Sequence, residues 1–413
     1  MTDKNHISGR VAAFLKRRAT INLAGLARWR NRHTTYISVT GSSAKSTTCA
    51  LLEEILSAAA PTAARIMHNT MPQIAPFIRD TDARFRYAVI ETGIDGPDRM
   101  LHLARLIRPH VAVITMIKRE HYKSMRSNDI VAHEKGYLVE NVCKGGISFI
   151  NADDEFFLAL RDRARGPVVT FAREAEATYR AKKVSARFPA RLSLTIDGPR
   201  GQVELQTRFV GEHFWLSVTA AVAVALELGV DPAVIKQKVS SFEPLTGRFA
   251  VERTSNDKTF LLDTAKAPEH SLGLAFDVVR QADAGYKRIV IGQIADSAGS
   301  SRQTYRKAYR LAAECADEVI LVGETAHRHG APQEHVQAGR VREFADVRGA
   351  AEYLQASARS GELILLKSNT KLHLERAFLY QTDPRRCWIA DCGLKAFCAA
   401  CDKFVVSGES GQD

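Results

Sequence analysis

The sequence predicts an α/β protein with two doubly wound domains. Short apolar runs recur along the chain with helical stretches between them, and strands that are apolar on both faces are typical of a parallel sheet covered by helices. The 413 residues suffice for two or three domains with cores of their own. Hydrophobic residues make up 45% of the chain and charged residues 25%, as in folded globular proteins.

The first predicted domain begins with a strand, a loop and a helix. Residues 35–40 are rich in β-branched and aromatic side chains, residues 41–46 are mostly small and polar, and residues 47–60 have a helical pattern. Three further apolar runs predict more strands of the same sheet, at 87–90, 111–115 and 147–150. This alternation indicates a parallel sheet.

The end of this domain has a different pattern. Residues 178–209 alternate between apolar and polar side chains, which predicts antiparallel strands. Residues 213–228 are rich in alanine and valine and predict a long buried helix. The turn cluster at 244–248 is the candidate domain boundary.

Beyond the boundary, apolar runs again alternate with helical stretches and predict a second, smaller doubly wound domain. The predicted strands lie at 259–262, 288–291, 318–322 and 362–366. The organisation is therefore a basic segment, a central domain, a C-terminal Rossmann-like domain and a cysteine-rich tail, with the bounds 1–34, 35–245, 246–382 and 383–413.

The N-terminal segment is strongly basic. Residues 1–35 hold eight basic side chains and one acid, which is +7 of the net charge of +12. Apolar residues at loosely helical spacing predict a basic amphipathic helix. We expect its apolar side to pack on the first domain with the arginines in solvent; contact with a protein partner or a membrane surface is the alternative. Nucleic acid is disfavoured as a partner because no recognised binding module is present.

The cysteines indicate a compartment and a candidate metal. No segment suits a secretory signal or a membrane-spanning helix, and the cysteines are not spread as a disulfide framework, so we expect a cytoplasmic protein. Four of the seven cysteines fall in the last 27 residues, as Cys387, Cys392, Cys398 and Cys401. Four thiolates with one C-x₂-C pair can bind tetrahedral Zn²⁺; reduced, partly buried thiols are the alternative.

The loop after the first strand is a candidate phosphate-binding loop. Its residues lie between a strand and a helix, where backbone N–H groups can cradle phosphate oxygens: Gly41, Ser42, Ser43, Ala44, Lys45, Ser46 and Thr47. Lys45 would reach the β- and γ-phosphates and the Ser46 hydroxyl would bind Mg²⁺. Ala44 stands where glycine is usual, so a serine-rich turn without phosphate is the alternative.

Six further motifs follow the loop in order. They are the strand end at Glu91, residues 108–115 followed by His121, residues 132–136 around Lys135, the strand end 151–154 that begins with Asn151, residues 245–249 around Arg248, and residues 263–268 that begin with Asp263. In this order they resemble the Mur ligase family of ATP-dependent amide-forming enzymes. The resemblance runs over about residues 35–378 and is greatest to the branch that adds D-alanyl-D-alanine to a muramyl tripeptide.

The resemblance implies a fold and a site. The fold would be a Mur-ligase-like central ATPase domain with a phosphate loop, followed by the smaller C-terminal domain. Two Mg²⁺ ions would be held by Ser46 with Glu91 and by His121 with a Lys135 carbamoylated by CO₂. Residues expected to contact ATP, in addition to the loop, are Asn151, His213, Arg248 and Asp263; those expected to serve catalysis are Lys45, Glu91, His121, Lys135 and Arg248.

The implied reaction is amide formation through an acyl phosphate, with an amino acid or similar amine as the nucleophile. Only about 35 residues precede the central domain, whereas muramyl-peptide ligases have a UDP-sugar-binding domain there, so we expect a carboxylate without UDP. Several positions depart from the family pattern: Ala44, Phe214, Lys266, Ser368 and Asn369. A non-catalytic or partner-dependent nucleotide-binding subunit is therefore the alternative function.

Overall fold

The computed structural model describes residues 3–94, 96–118, 125, 127–295, 297, 299–389, 391–394 and 396–406. The chain divides into two compact units. Unit 1 comprises Met1–Val184, Ser193–Thr207 and Phe214–Phe242. Unit 2 comprises Ser185–Leu192, Arg208–His213 and Glu243–Asp413.

Unit 1 alternates helices and strands for most of its length. Its elements are α1 (Asp3–Arg30), β1 (Thr35–Thr40), α2 (Lys45–Ala59), β2 (Thr62–Arg65), α3 (Met71–Asp80), β3 (Tyr87–Glu91), α4 (Arg99–Ile107), β4 (Val111–Ile114), α5 (Asn128–Glu140), β5 (Ile147–Asn151), α6 (Phe157–Asp162), β6 (Val168–Ala172), β7 (Tyr179–Ser185), β8 (Ser193–Gly198), β9 (Gly201–Gln206), α7 (Trp215–Glu227) and α8 (Pro232–Ser241).

These strands form one nine-stranded sheet in the order β2-β3-β1-β4-β5-β6-β7-β8-β9. Neighbours from β2 to β7 pair in parallel, whereas β8 and β9 form an antiparallel hairpin. The predicted parallel strands are confirmed. The antiparallel prediction for residues 178–209 is confirmed for β8 and β9, but it was wrong for β7, which pairs in parallel with β6. Strand β2 was not predicted, because the sequence Thr-Ala-Ala-Arg has no apolar run. The predicted helix at 213–228 begins later, at Trp215, after a short 3₁₀ turn.

Helix α1 packs differently from the expectation. Arg28 is buried: its Nε donates to the Ile107 carbonyl oxygen at 2.6 Å, and its guanidinium lies 4.2 Å from the centre of the Tyr36 ring. The large apolar side chains are instead exposed, by 43–61%: Phe14, Leu15, Leu23, Leu26 and Trp29. The predicted helix is confirmed, but the prediction that its apolar stripe packs inward with its arginines in solvent was wrong for these residues.

Unit 2 contains the remaining elements. They are β10 (Ala250–Arg253), β11 (Thr259–Asp263), α9 (Leu272–Gln281), β12 (Lys287–Ile291), α10 (Ser301–Ala313), β13 (Glu318–Val322), α11 (Gln333–Gln337), β14 (Val341–Phe344), α12 (Val347–Ala356), β15 (Leu363–Lys367), α13 (Arg376–Thr382), β16 (Arg385–Arg386) and β17 (Val405–Val406).

The main sheet of unit 2 has the order β10-β11-β15-β12-β13-β14 and is parallel except for β10. At the amino ends of its strands Arg288 is buried and pairs with Glu318 at 2.8 Å and Glu362 at 3.2 Å. The carboxyl ends carry Asp263 and Lys367, which are register partners on β11 and β15. The edge where ligands bind in open parallel sheets therefore has its own charged pair.

No helix within the described residues combines the length and the apolar character that crossing a membrane requires.

Candidate active site

The predicted phosphate loop joins β1 to α2 in unit 1 and is held against the end of β4. Thr115 Oγ1 donates to the Ser43 carbonyl oxygen at 2.6 Å, and the Ser42 N–H donates to the Met116 carbonyl oxygen at 2.8 Å. A Cβ added at Gly41 would lie 1.9 Å from Thr115 Oγ1. Glycine is therefore required at position 41, because any side chain would push the loop off the strand.

Ala44 has a left-handed backbone, with φ of 70° and ψ of −13°, and it is the residue that precedes α2. Glycine adopts this conformation without penalty, whereas a Cβ makes it cost about 1 kcal/mol. This explains why the pattern of phosphate loops favours glycine at this position. The departure at Ala44 thus leaves the loop conformation in place at an energetic cost. Alanine has no side-chain oxygen that could accept a hydrogen bond from the first turn of α2. Ala44 therefore does not cap the backbone N–H groups of that turn.

Two buried lysines converge on the loop. Lys45, from the first turn of α2, donates its Nζ to the Gly41 carbonyl oxygen. Lys135, from α5, donates its Nζ to the same carbonyl oxygen at 3.1 Å and is fully buried. The Lys45 ammonium puts a positive charge beside the loop, which suits the phosphates of a nucleotide, and Lys135 brings a second buried amine to the same carbonyl.

Glu91 ends β3, next to the loop, and its carboxylate is fully hydrogen-bonded. Its Oε2 accepts from Ser46 Oγ at 2.8 Å and from the Met67 N–H at 2.7 Å, and its Oε1 accepts from Asn69 Nδ2 at 2.8 Å. The structure therefore brings together Ser46 and Glu91, which the sequence assigned to one metal ion. A hydroxyl and a carboxylate are oxygen donors of the kind that Mg²⁺ prefers.

Glu91 remains ionised although it is buried. Burial by itself raises the pKa of this carboxyl, but the nearby Lys45 ammonium and the three hydrogen bonds favour the carboxylate, and the net result is a pKa below the usual value. The site thus has a fixed negative charge beside its two lysines. A divalent cation placed there would find an anionic ligand without any proton having to leave.

The remaining predicted residues of unit 1 have different outcomes. His121, predicted as a metal ligand, lies outside the described residues. Asn151 ends β5 and is buried, and its Oδ1 accepts from the Asp153 N–H at 3.0 Å, so its side chain shapes the turn after the strand. Ser42 and Thr47 are buried in the loop and the first turn of α2.

In unit 2 the predicted Asp263 lies at the carboxyl end of the sheet and pairs with Lys367 at 2.5 Å. Lys367 also donates to the Lys266 carbonyl oxygen at 3.0 Å. The pKa of Lys367 is below its usual value. Burial is the largest cause of this lowering, the nearby Asp263 opposes it, and Arg248 adds to it. Arg248, the predicted linker arginine, has a buried Nε with no hydrogen-bond partner among the described residues. Such an orphaned donor is typical of a group that binds a ligand.

His213 lies in the short turn before α7 and belongs to unit 2. Its ring is 5.1 Å from the Phe249 ring, centre to centre. Burial lowers the pKa of His213 most strongly; Asp263 opposes this and Lys367 adds to it, which leaves a pKa of about 4. His213 is therefore neutral at physiological pH and lies near the Asp263–Lys367 pair.

The four tail cysteines lie in unit 2, where they line one cavity together with His373. His373 was not predicted from the sequence, and neither were Met67 and Asn69, which lie beside Glu91. Nothing in the sequence near these three residues marks them, because each is brought to its site by the fold from a distant part of the chain.

Comparisons with known proteins agree with this architecture. A model of the Mur ligase middle domain matches residues 39–225, and a model of the Mur ligase glutamate ligase domain matches residues 247–370. A relative, the UDP-N-acetylmuramoyl-tripeptide–D-alanyl-D-alanine ligase of Haemophilus influenzae, is 24% identical over 295 residues, which are 70% of this chain and 64% of the relative. The chain thus spans less than two thirds of the length of that relative.

Solved structures share the fold. MurF from Acinetobacter baumannii has a TM-score of 0.80 at 24% identity, covering 89% of this chain and 80% of that chain. The folylpolyglutamate synthase of Mycobacterium tuberculosis, solved with ADP and AMPPCP, has a TM-score of 0.68 at 15% identity, covering 89% of this chain and 94% of that chain. With the two domain models matched in chain order over this fold, the chain belongs to the Mur ligase family.

Proposed function

We propose that the protein is an ATP-dependent ligase that joins a carboxylate to an amine through an acyl phosphate. The observation that carries the proposal is the convergence of buried Lys45 and Lys135 on the Gly41 carbonyl, beside the hydrogen-bonded pair of Ser46 and Glu91. The carboxylate attacks the γ-phosphorus as ADP leaves, and the amine then attacks the acyl phosphate as phosphate leaves. Negative charge builds on the transferring phosphoryl group, so the Lys45 cation and a metal-binding pair at one loop suit this reaction.

The residues of the loop fit the phosphates of a nucleoside triphosphate. The loop lies between β1 and the amino end of α2, where backbone N–H groups can bind phosphate oxygens, and the glycine at position 41 lets it pack against Thr115. Lys45 would contact the β- and γ-phosphates, and Ser46 and Glu91 would hold Mg²⁺. Bound there, Mg²⁺ would neutralise negative charge on the phosphates.

Lys135 is assigned the carbamate. A fully buried lysine amine on α5 has no solvent to stabilise its charge, and addition of CO₂ would convert it into an anionic pair of oxygens beside the loop. With His121, such a carbamate would hold a second Mg²⁺. The assignment rests on the family pattern and on the 3.1 Å contact between Lys135 and Gly41.

Arg248, Asp263, His213 and Asn151 are assigned to ATP binding. Arg248 has an unused buried Nε, and a phosphate oxygen is the acceptor that a guanidinium binds best. The domain bounds expected from the sequence, 35–245 and 246–382, remain part of this proposal.

The carboxylate has two candidate classes. The Haemophilus influenzae relative is named for a UDP-N-acetylmuramoyl tripeptide and D-alanyl-D-alanine. The carboxylate expected from the sequence is instead one without UDP, and the comparisons do not support that finer prediction. A carboxylate without UDP stays the second candidate, because the fold is also that of a folylpolyglutamate synthase, 94% of whose chain is covered.

The test is phosphate release from ATP with Mg²⁺ and bicarbonate, in two arms. One arm supplies a UDP-linked muramoyl tripeptide with D-alanyl-D-alanine, and the other supplies pooled small carboxylates and amino acids. We expect release in one arm, and a loss of about 10²- to 10³-fold in Lys45→Ala and in Glu91→Gln. Lys236→Ala, at an exposed lysine on α8, is the matched control and should keep the rate.

Silence of the wild type in both arms, with ATP binding retained, would contradict the ligase and favour a nucleotide-binding subunit. Equal release by the wild type and Lys45→Ala would contradict the assignment of the loop, because the activity would then come from elsewhere. Release in only one arm identifies the carboxylate class.

A further inference from the structure

The tail of unit 2 returns to its hydrophobic core. Strands β16 and β17 pair antiparallel, so the segment between them is a closed loop. Within it Cys398 is 3% exposed and Phe404 5%, and both belong to the main core cluster of unit 2. Cys387 and Cys401 pack against the same cluster. The tail is therefore part of the folded unit, and its cysteines have fixed positions.

The tail cysteines share one cavity with His373, which precedes α13, and with Arg376, the first residue of α13. Its lining contains a set of side chains that can ligate a metal, and it contains one arginine: His373, Cys387, Cys392, Cys398, Cys401 and Arg376. All seven cysteines of the chain are free thiols in the structure. Sulfur and imidazole together are the ligands of zinc in structural sites.

Some of these side chains lie close enough together to bind one metal ion. The ligand atoms of His373, Glu375 and Cys398 all lie within 4.8 Å of one another. Cys392 Sγ lies 3.2 Å from His373 Nε2. His373 is thus the centre of the cluster, since it is close to both cysteines. The sequence alone pointed only to the four cysteines.

Two features show that His373 is held in place. Its backbone is left-handed, with φ of 52°, which is unfavourable for a residue with a Cβ and persists where the surroundings impose it. Its side chain is 2% exposed, so the ring has little freedom to turn. Glu375 is 5% exposed, and its Oε2 is buried with no hydrogen-bond partner among the described residues.

The surroundings suit thiolates. Arg376 Nε donates to Cys398 Sγ at 3.0 Å, and its Nη1 donates to the Ile389 carbonyl oxygen at 2.8 Å. Hydrogen bonds of this kind orient metal ligands and stabilise negative charge on sulfur. Glu375 Oε1 accepts from the Cys398 N–H at 3.2 Å, which fixes the backbone of the C-x₂-C pair formed by Cys398 and Cys401.

We infer that this cavity is a structural Zn²⁺ site whose four ligands are His373, Cys392, Cys398 and Cys401. The contact between His373 and Cys392 supplies one pair of ligands, and the C-x₂-C pair supplies the other. On binding, each of the three thiols releases its proton to solvent and forms a sulfur–zinc bond. Cys387 lines the cavity too, but we leave it out of the ligand set, because Cys392 makes the contact with His373 and the C-x₂-C pair is Cys398 with Cys401. The metal would tie the tail to the core of unit 2.

The first experiment measures zinc in the full chain by mass spectrometry after purification and dialysis. We expect about one zinc ion per chain in the wild type, and a loss of at least tenfold in His373→Ala, Cys392→Ser and Cys398→Ser. Cys387→Ser should keep its zinc, and so should Cys315→Ser, at a buried thiol far from the cavity in sequence. Wild-type protein without zinc, both as purified and after incubation with zinc chloride, would overturn the site.

A variant that fails to fold would also lose its metal, so a second measurement uses the wild type alone. Replacing zinc by Co²⁺ should give absorption bands typical of three thiolates and one imidazole. Bands of a four-thiolate site, together with zinc kept by His373→Ala and lost by Cys387→Ser, would overturn this ligand set. Neither measurement involves ATP, so its result is independent of the proposed ligase activity.

Discussion

Lys135 and Gly41 meet through a hydrogen bond of 3.1 Å across 94 residues of sequence. The lysine comes from α5 and the carbonyl from the loop between β1 and α2, and both elements flank the parallel strands β1 and β4. In such a sheet, side chains that follow neighbouring strands meet at one edge. The fold therefore places a fully buried amine at the loop where Lys45 also points.

This contact allows the charge of Lys135 to be separated from its capacity to form a carbamate. Lys135→Arg keeps a positive charge but has no amine that reacts with CO₂, and Lys135→Met keeps the approximate volume without charge. If the carbamate is required, both variants should release phosphate at least about 100-fold more slowly while still binding ATP. Phosphate release and ATP titration check this.

Lys144→Ala, at an exposed lysine after α5, is the control and should leave the rate unchanged. A Lys135→Arg variant that keeps most of the wild-type rate would show that the positive charge is what the site uses. The carbamate assignment would then be wrong.

Ala44 offers a stability test of the loop conformation. Its φ of 70° costs an alanine about 1 kcal/mol, and glycine removes that cost while adding some freedom to the unfolded chain. Ala44→Gly should therefore raise the free energy of unfolding by about 0.5 kcal/mol, as measured by urea denaturation. Ala58→Gly, at an exposed position inside α2, should lower it by about 1 kcal/mol. Destabilisation by Ala44→Gly would mean that residue 44 is not left-handed.

The order of elements was largely predictable from the sequence because it depends on local patterns. The run Thr35–Thr40, the small residues after it and the helical pattern beyond are neighbours in the chain, and the structure places β1, the loop and α2 there. Asp263 was predicted at a strand end for the same reason. Strand β2 was missed because pairing with β3, rather than its own apolar content, makes it a strand.

The partners of the site residues could not be predicted, because they depend on distances between remote segments. Asn69 reaches Glu91 from the loop before α3, and nothing near Asn69 in the sequence indicates this. His373 joins the tail cysteines in the same way. For the apolar side of α1 a contact was predicted that the structure does not contain, because its large side chains are exposed. Spacing predicts which residues share a helix face but not whether another element covers that face.

Arg248 should separate activity from stability. Its buried Nε has no hydrogen-bond partner among the described residues, and leaving such a donor buried costs about 1–3 kcal/mol. Arg248→Met should therefore leave the free energy of unfolding unchanged or slightly higher, while phosphate release falls by about 100-fold.

Arg288→Met is the contrasting variant. Arg288 is buried in ion pairs with Glu318 and Glu362, and Glu318 also pairs with Arg342. Removal of Arg288 leaves Glu362 without this ion pair and Glu318 with Arg342 alone, which should cost about 3–5 kcal/mol. Both variants are compared by denaturation and by phosphate release. If Arg248→Met lost as much stability as Arg288→Met, Arg248 would be a structural residue rather than a ligand of the nucleotide.

His213 predicts how the stability of unit 2 changes with pH. In the folded protein its pKa is about 4, because burial, with Lys367 adding to it and Asp263 opposing it, disfavours the imidazolium; the ordinary value is 6.5. Below pH 6.5 the unfolded chain takes up a proton at this residue, whereas the folded protein resists protonation until about pH 4. The free energy of unfolding should therefore fall across this window, by up to about 3 kcal/mol. Above pH 6.5 His213 contributes no pH dependence.

In His213→Gln the loss of unfolding free energy between pH 6.5 and 4 should be smaller by that amount, whereas His327→Gln, at an exposed histidine of the same unit, should follow the wild type. Urea denaturation at several pH values measures this, and parallel curves for His213→Gln and the wild type would show that the ring is not held neutral by the fold.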